Sequence, residues 1–288
     1  MLWFPLSLVA ALTAAINDVI TKRFFGDLTP YEMGLVRLLY ALPYLIAGLF
    51  LVPWPTLDGT FWTCLAVGLP LELIAFLCYM KAIKVSPLSL TIPFLAFTPA
   101  FVILTGYLFL GEILTSYGIL GILLIVAGSY VLNLSGARRA WAAPFKAVFR
   151  EPGSALMLAT SFIYSITATL GKLAIVHSSQ QFFAVTYFLI FFCFVFSLLP
   201  FMGKGKLRNI IERPIPGIFA GLVFAAMIYS HTLAISLVEA AYMLSVKRTS
   251  LLFAVIFGGL FFREQYIGER LLGSAVMMGG VLVIGFLA

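Results

Sequence analysis

Long apolar stretches, separated by short polar breaks, run along almost the whole chain. A helix crosses a bilayer with about 20 apolar residues, and a segment in lipid has to satisfy its own backbone hydrogen bonds. We therefore predict an all-α integral membrane protein with ten transmembrane helices. The ten segments, divided at Gly, Pro and charged residues, are 2–22, 30–52, 60–82, 86–110, 113–133, 153–176, 180–202, 214–235, 239–262 and 266–287.

The second half of the chain repeats the first at an offset of 152 residues. Ala82-Ile83 returns as Ala234-Ile235, and the stretch 108–112 (LFLGE) returns as 260–264 (LFFRE). Each half has five segments, an odd number, so the second half enters the membrane from the opposite side. The pattern predicts two inverted five-helix repeats, an arrangement common in transporters. Their expected ranges are 1–134 and 153–288, joined by a basic loop over 135–152.

Composition excludes most soluble classes. Of the 288 residues, 62% are hydrophobic and 10% are charged, whereas soluble domains average about 25% charged residues. This argues against a soluble enzyme, a nucleic-acid-binding domain and an extracellular disulfide scaffold. The three cysteines lie far apart in apolar segments without a CxxC pair, so we expect no disulfide, metal or other cofactor.

Motifs of catalysis and nucleotide binding are missing from the sequence. It has no GxSxG, HExxH or Walker A pattern, and its two histidines lie in different segments. We therefore expect that the protein is not an enzyme. A membrane-embedded enzyme that uses His231 with Glu72 is a distant alternative. Uphill transport would have to use an ion gradient or exchange.

The basic residues predict an orientation in the membrane. The net charge is +7, and fourteen Lys and Arg residues at loops and helix ends all fall on the connections 1–2, 3–4, 5–6, 7–8 and 9–10. Because cytoplasmic loops are enriched in Lys and Arg, these loops are predicted to be cytoplasmic. Both termini would then lie on the opposite face, in a protein expected in the bacterial inner membrane.

Several motifs resemble one family in a consistent order. Lys22, then Thr29-Pro30 and the stretch 35–39 (LVRLL), resemble the start of the EamA repeat of drug/metabolite transporters. The stretch 108–112 and the glycine-rich segment after it resemble the end of that repeat, as do residues 258–285. The resemblance implies a ten-helix carrier whose central cavity is lined mainly by segments 1, 3, 4, 6, 8 and 9. It also implies cytoplasmic termini, where the charge pattern favours the reverse.

Segment nine has a more specific resemblance. The stretch 245–249 (SVKRT) is similar to helix nine of the plastid phosphate translocators. The resemblance implies that Lys247 and Arg248 bind the phosphate of a substrate. Those translocators also use a lysine on helix four, and segment four has none.

The same two cations stand out on physical grounds. A charged residue at the centre of a membrane helix costs about 2.5–3.5 kcal/mol on insertion scales, so it normally faces a cavity or a partner. Lys247 and Arg248 point about 100° apart on a regular helix. An anion in a cavity would satisfy both, since guanidinium pairs well with phosphate or carboxylate oxygens. The alternative is a structural salt bridge to Glu72 or Glu239.

Four more ionisable or amide side chains lie inside segments one to three. Arg37 either assists anion binding or holds helix ends together. Glu72 either transports a proton or balances the basic pair. Asn17 and Asp18 either contact ligand or bond within the bundle, and Asp18 has Lys22 four residues on as a possible partner.

The remaining candidates come from the repeat and from helical spacing. His231 corresponds to Tyr79 in the repeat, and such related polar groups suit a binding site near the symmetry axis. Tyr242, one turn before Lys247, is within reach of the same ligand. Lys172 either enters the cavity or extends to the interface. Glu112 is predicted to cap the helix that follows it.

Together these features predict a secondary transporter that moves a small anionic metabolite, preferably an organic phosphate, by alternating access. Two alternatives stay open, namely a proton-coupled exporter of amino acids or related zwitterions, and a flippase for a phosphate-bearing lipid. The expected partners are a small-molecule substrate, membrane lipid and a second copy of the chain, packed through the glycines of segments five and ten. No nucleic-acid partner is expected.

Overall fold

The computed structural model describes residues 2–86, 91–134, 151–202, 210–262 and 271–287. Over these ranges the chain is helical and has no strand, which confirms the predicted all-α class. A 3-10 segment, Ile92–Ala96, precedes α4, and a short helical turn, Leu199–Met202, follows α7. The helices are α1 (Trp3–Phe25), α2 (Pro30–Leu51), α3 (Gly59–Val85), α4 (Phe97–Leu110), α5 (Ser116–Leu134), α6 (Pro152–Val176), α7 (Gln180–Ser197), α8 (Pro214–Ser236), α9 (Ala240–Lys247), α10 (Ser250–Phe262) and α11 (Leu271–Leu287).

Six helices in the described ranges are long and apolar enough to cross a membrane: α1, α2, α3, α6, α7 with the turn after it, and α8. The helices of segments four, five, nine and ten are shorter in the described residues, so the count of ten spans stays a prediction. Most of the predicted loop 135–152 lies outside the described residues, and the two-repeat division is likewise still a prediction.

Capping residues fix where α2 and α3 begin. The hydroxyl of Thr29 accepts a hydrogen bond from the amide of Glu32 (3.3 Å), and the Glu32 carboxylate accepts one from the amide of Thr29 (2.8 Å). This capping box satisfies two amides that have no partner within the helix. Asp58 caps α3 by accepting from the amide of Phe61 (2.9 Å), and this bond holds the pKa of Asp58 below its usual value. Both helices contribute side chains to the cavity described below.

Segment nine is divided, contrary to the single helix that the sequence predicted. α9 ends at Lys247 and α10 begins at Ser250, so Arg248 lies in a tight turn between them. The amide of Arg248 donates to the carbonyls of Leu244 (3.1 Å) and Ser245 (3.0 Å). Backbone groups therefore stay hydrogen-bonded through the turn, as they must at depth in a membrane.

Segment four also changes character along its length. Its described part begins as the 3-10 segment Ile92–Ala96, which includes Pro93, and continues as α4, with Pro99 in the first turn. Proline has no amide hydrogen to donate, which is why it is tolerated in a first turn but disrupts a helix interior. Pro87, the first of the three prolines expected to bend this segment, lies outside the described residues.

Connections between helices lie at two opposite ends of the bundle. At end A, where α1 and α3 end, Arg213 before α8 donates to both carboxylate oxygens of Asp27 (2.7 and 2.8 Å). These bonds hold the pKa of Asp27 below its usual value. At end B, where α6 and α8 end, Nδ1 of His177 lies 2.6 Å from the carboxylate of Asp58. Which end faces the cytoplasm stays a prediction.

Among the helix pairs that join the two halves of the chain, α1 packs on α8 and α3 packs on α6. Under the predicted repeat, segments 1 and 3 correspond to segments 6 and 8, so each pair is the counterpart of the other. The central cavity lies between these pairs.

α5 and α11 pack closely through glycine. A Cβ placed at Gly280 would lie 2.6 Å from the carbonyl oxygen of Gly121, and one at Gly128 would lie 2.7 Å from that of Gly273. Small residues of this kind let membrane helices approach each other at backbone distance. These glycines are thus already buried in a helix contact within one chain. The homodimer stays a prediction and would need another surface.

Replacing Gly280 by alanine should destabilise the protein by about 1–3 kcal/mol, because the new methyl group overpacks a backbone contact that no side-chain rotation can relieve. Thermal unfolding in detergent measures the effect. Gly279→Ala is a matched control one residue away, since a Cβ there meets no atom within 4 Å. Equal melting temperatures for the two variants would contradict this account of the α5–α11 contact.

Candidate functional site

A cavity of about 190 Å³ lies at the centre of the described bundle. Side chains from α1, α2, α3, α6, α7, α8, α9 and the 3-10 segment line it. The family resemblance implied segments 1, 3, 4, 6, 8 and 9, all of which contribute. The structure adds α7 and the side chain of Arg37 from α2. Eight of the nine predicted site residues line the cavity, namely Asn17, Asp18, Arg37, Glu72, Tyr79, His231, Lys247 and Arg248.

Lys247 and Arg248 both reach the cavity, at the point where α9 ends and the turn before α10 begins. On one regular helix they would diverge by about 100°, but both line the cavity here. Lys247 Nζ lies 3.2 Å from His231 Nδ1 and 3.5 Å from the sulfur of Met227. Neither cation forms a salt bridge within the part of the chain that the structure describes. The predicted structural alternative, a salt bridge to Glu72 or Glu239, is therefore not formed there.

Arg248 has an unsatisfied donor. The residue is only 6% exposed, and its Nε is buried without a hydrogen-bond partner among the described residues. A buried charged donor without a partner is costly. An anion in the cavity would supply the missing acceptor.

Glu72 from α3 faces the same cavity as the two cations. Thr167 of α6 and Lys247 line this cavity together with Glu72. The cavity therefore offers groups of both signs to a ligand.

Asp18, Arg37 and Tyr79 form a buried network. Arg37 Nη2 donates to Asp18 (2.9 Å), and the Tyr79 hydroxyl donates to the other Asp18 oxygen (2.5 Å). Arg37 Nε donates to the Thr21 hydroxyl (2.7 Å), and its guanidinium lies 5.8 Å from the centre of the Tyr79 ring. Arg37 therefore has its charge compensated within the protein, which corresponds to the structural role considered for it. Asp18 pairs with Arg37, while Lys22 donates to the carbonyl of Ser86 (2.7 Å).

Two residues of the predicted site, Asn17 and Tyr242, form hydrogen bonds to the backbone of other parts of the bundle. The side-chain amide of Asn17 donates through Nδ2 to the carbonyl of Ala220 (2.7 Å), joining α1 to α8. Tyr242 lies outside the cavity, because its ring packs against Gly118 and its hydroxyl accepts from the amide of Thr115 (2.9 Å). Tyr242 is thus the one predicted site residue that the structure places outside the cavity lining.

Glu112 also differs from its prediction. Its carboxylate accepts from the amide of Ala240 (3.0 and 3.2 Å) and pairs with Lys172. It thus caps α9, which is more than 100 residues away in sequence, instead of the helix that follows it. Glu264, its counterpart in the predicted repeat, lies outside the described residues.

An aromatic wall was missed by the sequence analysis. Tyr164 of α6 and four side chains of α7 line the cavity, the latter being Phe183, Tyr187, Phe188 and Phe191. Segment seven contains no charged residue, so it contributed no candidate to the predicted site. The polar Tyr187 was an available signal that a face of this helix turns inward.

Comparison with known proteins decides the family. The family model for EamA-like transporters matches residues 1–134 and 151–286. The chain belongs to the EamA-like transporter family. It is therefore an integral membrane protein that transports a small substrate, and its family is one of transporters and not of enzymes.

One curated protein and one solved structure match nearly the whole length of this EamA-like transporter. An uncharacterised transporter of Archaeoglobus fulgidus is 24% identical over 291 residues, which cover 99% of this chain and 98% of the relative. A protein of known crystal structure aligns with a TM-score of 0.68 at 15% identity, covering 98% of this chain and 99% of the other. The second likeness supports the fold alone.

Proposed function

We propose that this transporter moves a small organic anion, with an organic phosphate as the favoured substrate, by alternating access. The observation behind the proposal is the pair Lys247 and Arg248, which face one cavity without a salt-bridge partner among the described residues. Arginine and lysine next to each other provide a guanidinium fork and a point charge, a combination suited to phosphate or carboxylate oxygens.

The charge of the cavity supports an anion. Asp18 and Arg37 compensate each other, and Lys172 is paired with Glu112. Apart from these pairs and His231, the charged groups of the cavity wall are the two cations Lys247 and Arg248 and the carboxylate of Glu72. With all three groups ionised, two cations and one carboxylate leave one net positive charge, which attracts an anion.

Cavity size and wall chemistry restrict the substrate further. A volume of about 190 Å³ is below the roughly 300–1,000 Å³ of pockets for drug-sized ligands. The acyl chains of a phospholipid do not fit in this space, which disfavours the flippase alternative. The aromatic wall suits a substrate with an apolar carbon skeleton attached to its charged group.

Glu72 supports a second candidate, the transport of an amino acid or similar zwitterion. With the hydroxyl of Thr167, Glu72 offers acceptors for an ammonium group, while Lys247 and Arg248 would bind the carboxylate. In this arrangement the same cavity neutralises both ends of one substrate. The two candidates differ in whether removing the Glu72 charge weakens binding.

Ligand-dependent thermal unfolding separates the candidates. A ligand that binds only the folded state at roughly 100 times its Kd stabilises that state by about 2.7 kcal/mol. We expect small phosphate monoesters to raise the melting temperature of the purified protein, and Glu72→Gln to preserve this shift. Stabilisation by amino acids only, lost in Glu72→Gln, would replace the phosphate proposal by the zwitterion one. No shift with either class would contradict both.

A further inference from the structure

A cluster of contacts joins the two halves of the chain at end B. The ammonium of Lys172 on α6 pairs with Glu112, beyond α4, and donates to the carbonyl of Val238 (2.6 Å). The same carboxylate accepts from the amide of Ala240, the first residue of α9. One ion pair therefore connects α6, the end of α4 and the start of α9. Separation of these three elements at end B requires that these contacts break.

A related contact exists at end A. There Lys22, near the end of α1, donates to the carbonyl of Ser86, just after α3. Ser86 and Val238 are 152 residues apart, which is the offset of the sequence repeat, and Lys22 and Lys172 are 150 apart. A lysine near the end of the first helix of each half thus contacts the carbonyl that follows the third helix. The two contacts lie at opposite ends of the bundle, as two closures of one cavity would.

Lys172 differs from Lys22 in that it also lines the cavity. Its side chain is 15% exposed and that of Glu112 is 11% exposed. A phosphate or carboxylate oxygen that enters the cavity offers Lys172 the same kind of charge-assisted hydrogen bond that Glu112 does. The lysine is therefore placed between two competing anionic partners, one in the protein and one in the ligand.

We propose that Glu112 and Lys172 form a lock that closes end B, and that the transported anion opens it by competing for the ammonium of Lys172. The second part of this proposal rests on the anion transport proposed above. Lys172 is then a third cation of the substrate site, held by Glu112 while the cavity is empty. When the ammonium of Lys172 turns to the anion, the Glu112 carboxylate keeps only its hydrogen bond with the amide of Ala240. The contact between the end of α4 and the start of α9 is then weaker.

The lock is tested by the accessibility of a buried cysteine next to it. Ala241, in the first turn of α9, is 1% exposed and is replaced by cysteine in a protein whose three native cysteines are changed to alanine. A soluble maleimide is added to the purified protein, and the labelling rate is measured. We expect Glu112→Gln, which retains an acceptor for the Ala240 amide, to raise the rate about tenfold, because a hydrogen bond between charged groups is lost.

Asp58→Asn is the matched control, because it removes another carboxylate that pairs across end B, with His177. It should change the labelling rate by less than about twofold, as that pair is largely exposed. Inorganic phosphate should accelerate labelling of the parent protein and have no further effect on Glu112→Gln. Lys172→Met, which removes the cation and leaves the carboxylate, provides a second variant with the same expected acceleration.

The outcomes distinguish the lock from the proposed substrate. Labelling of Glu112→Gln and Lys172→Met at the parent rate would overturn the lock. Faster labelling of both variants, without a response of the parent to phosphate, would preserve the lock and overturn the competition. A failure of the substrate proposal would be seen separately, as a phosphate-dependent melting shift that persists without Lys247 and Arg248.

Discussion

Transport should be abolished when Lys247 and Arg248 are both replaced by alanine, while the protein stays folded. Hydrogen bonds to charged groups contribute roughly 1.5–3 kcal/mol each, so losing two should weaken substrate binding by about a hundredfold or more. Neither side chain has a salt-bridge partner within the described residues, so their removal leaves no described carboxylate newly unpaired. Uptake of a radiolabelled phosphate monoester into liposomes measures the effect.

A double variant at end A controls for the loss of two charges. Lys81 and Lys84 are exposed near the end of α3, where Lys84 donates to the carbonyl of Leu28. Neither lines the cavity, so replacing both by alanine should leave uptake close to that of the parent. Undiminished uptake in the Lys247/Arg248 variant would contradict the anion proposal. The exchange Lys247→Arg with Arg248→Lys preserves charge and tests geometry. It should lower affinity, because only arginine forms a planar fork of donors.

The second large effect is expected at Arg37. Replacing it by methionine leaves the carboxylate of Asp18 buried with only the Tyr79 hydroxyl as a described partner, and breaking a buried ion pair in this way costs about 3–5 kcal/mol. Asp18→Asn combined with Arg37→Met removes both charges and should recover most of this loss. Thermal unfolding of the two variants and the parent provides the comparison.

The same pair of variants separates structure from ligand binding. If Arg37 acts only through Asp18, the double variant should bind phosphate monoesters with a melting shift like that of the parent. A stable double variant that has lost this shift would show that Arg37 contacts substrate as well. Equal stability of Arg37→Met and the double variant would contradict the view that Asp18 needs its cation.

Much of the fold could be predicted from the sequence because membrane insertion imposes strong rules. Apolar stretches of about 20 residues in lipid have to be helical, and the polar residues within them have to face inward. This is why eight of the nine candidate residues line one cavity. The division of segment nine could not be predicted, since 247–249 contains neither glycine nor proline.

Partners within the site could not be predicted, because they come from distant parts of the chain. Helical spacing suggested Lys22 for Asp18, but the nearer cation in space is Arg37 of the next helix. The position of Glu112 suggested the following helix, but the fold brings it to α9 and Lys172. Tyr242 has the right spacing from Lys247 but lies against Gly118. Spacing along one helix predicts which way a side chain points, but it does not predict which residue of another helix it contacts.

The surplus of one positive charge in the cavity wall has an electrical consequence. A membrane potential changes the energy of a transferred elementary charge by about 2.3 kcal/mol per 100 mV. With a bound monoanion, such as a carboxylate or the singly ionised form of a phosphate monoester, the cavity is neutral and crosses between its two orientations without feeling this field. The empty cavity is not neutral, so its return step is driven or opposed by the voltage. Exchange of one monoanion for another would therefore be insensitive to membrane potential, whereas net movement in one direction would generate a current.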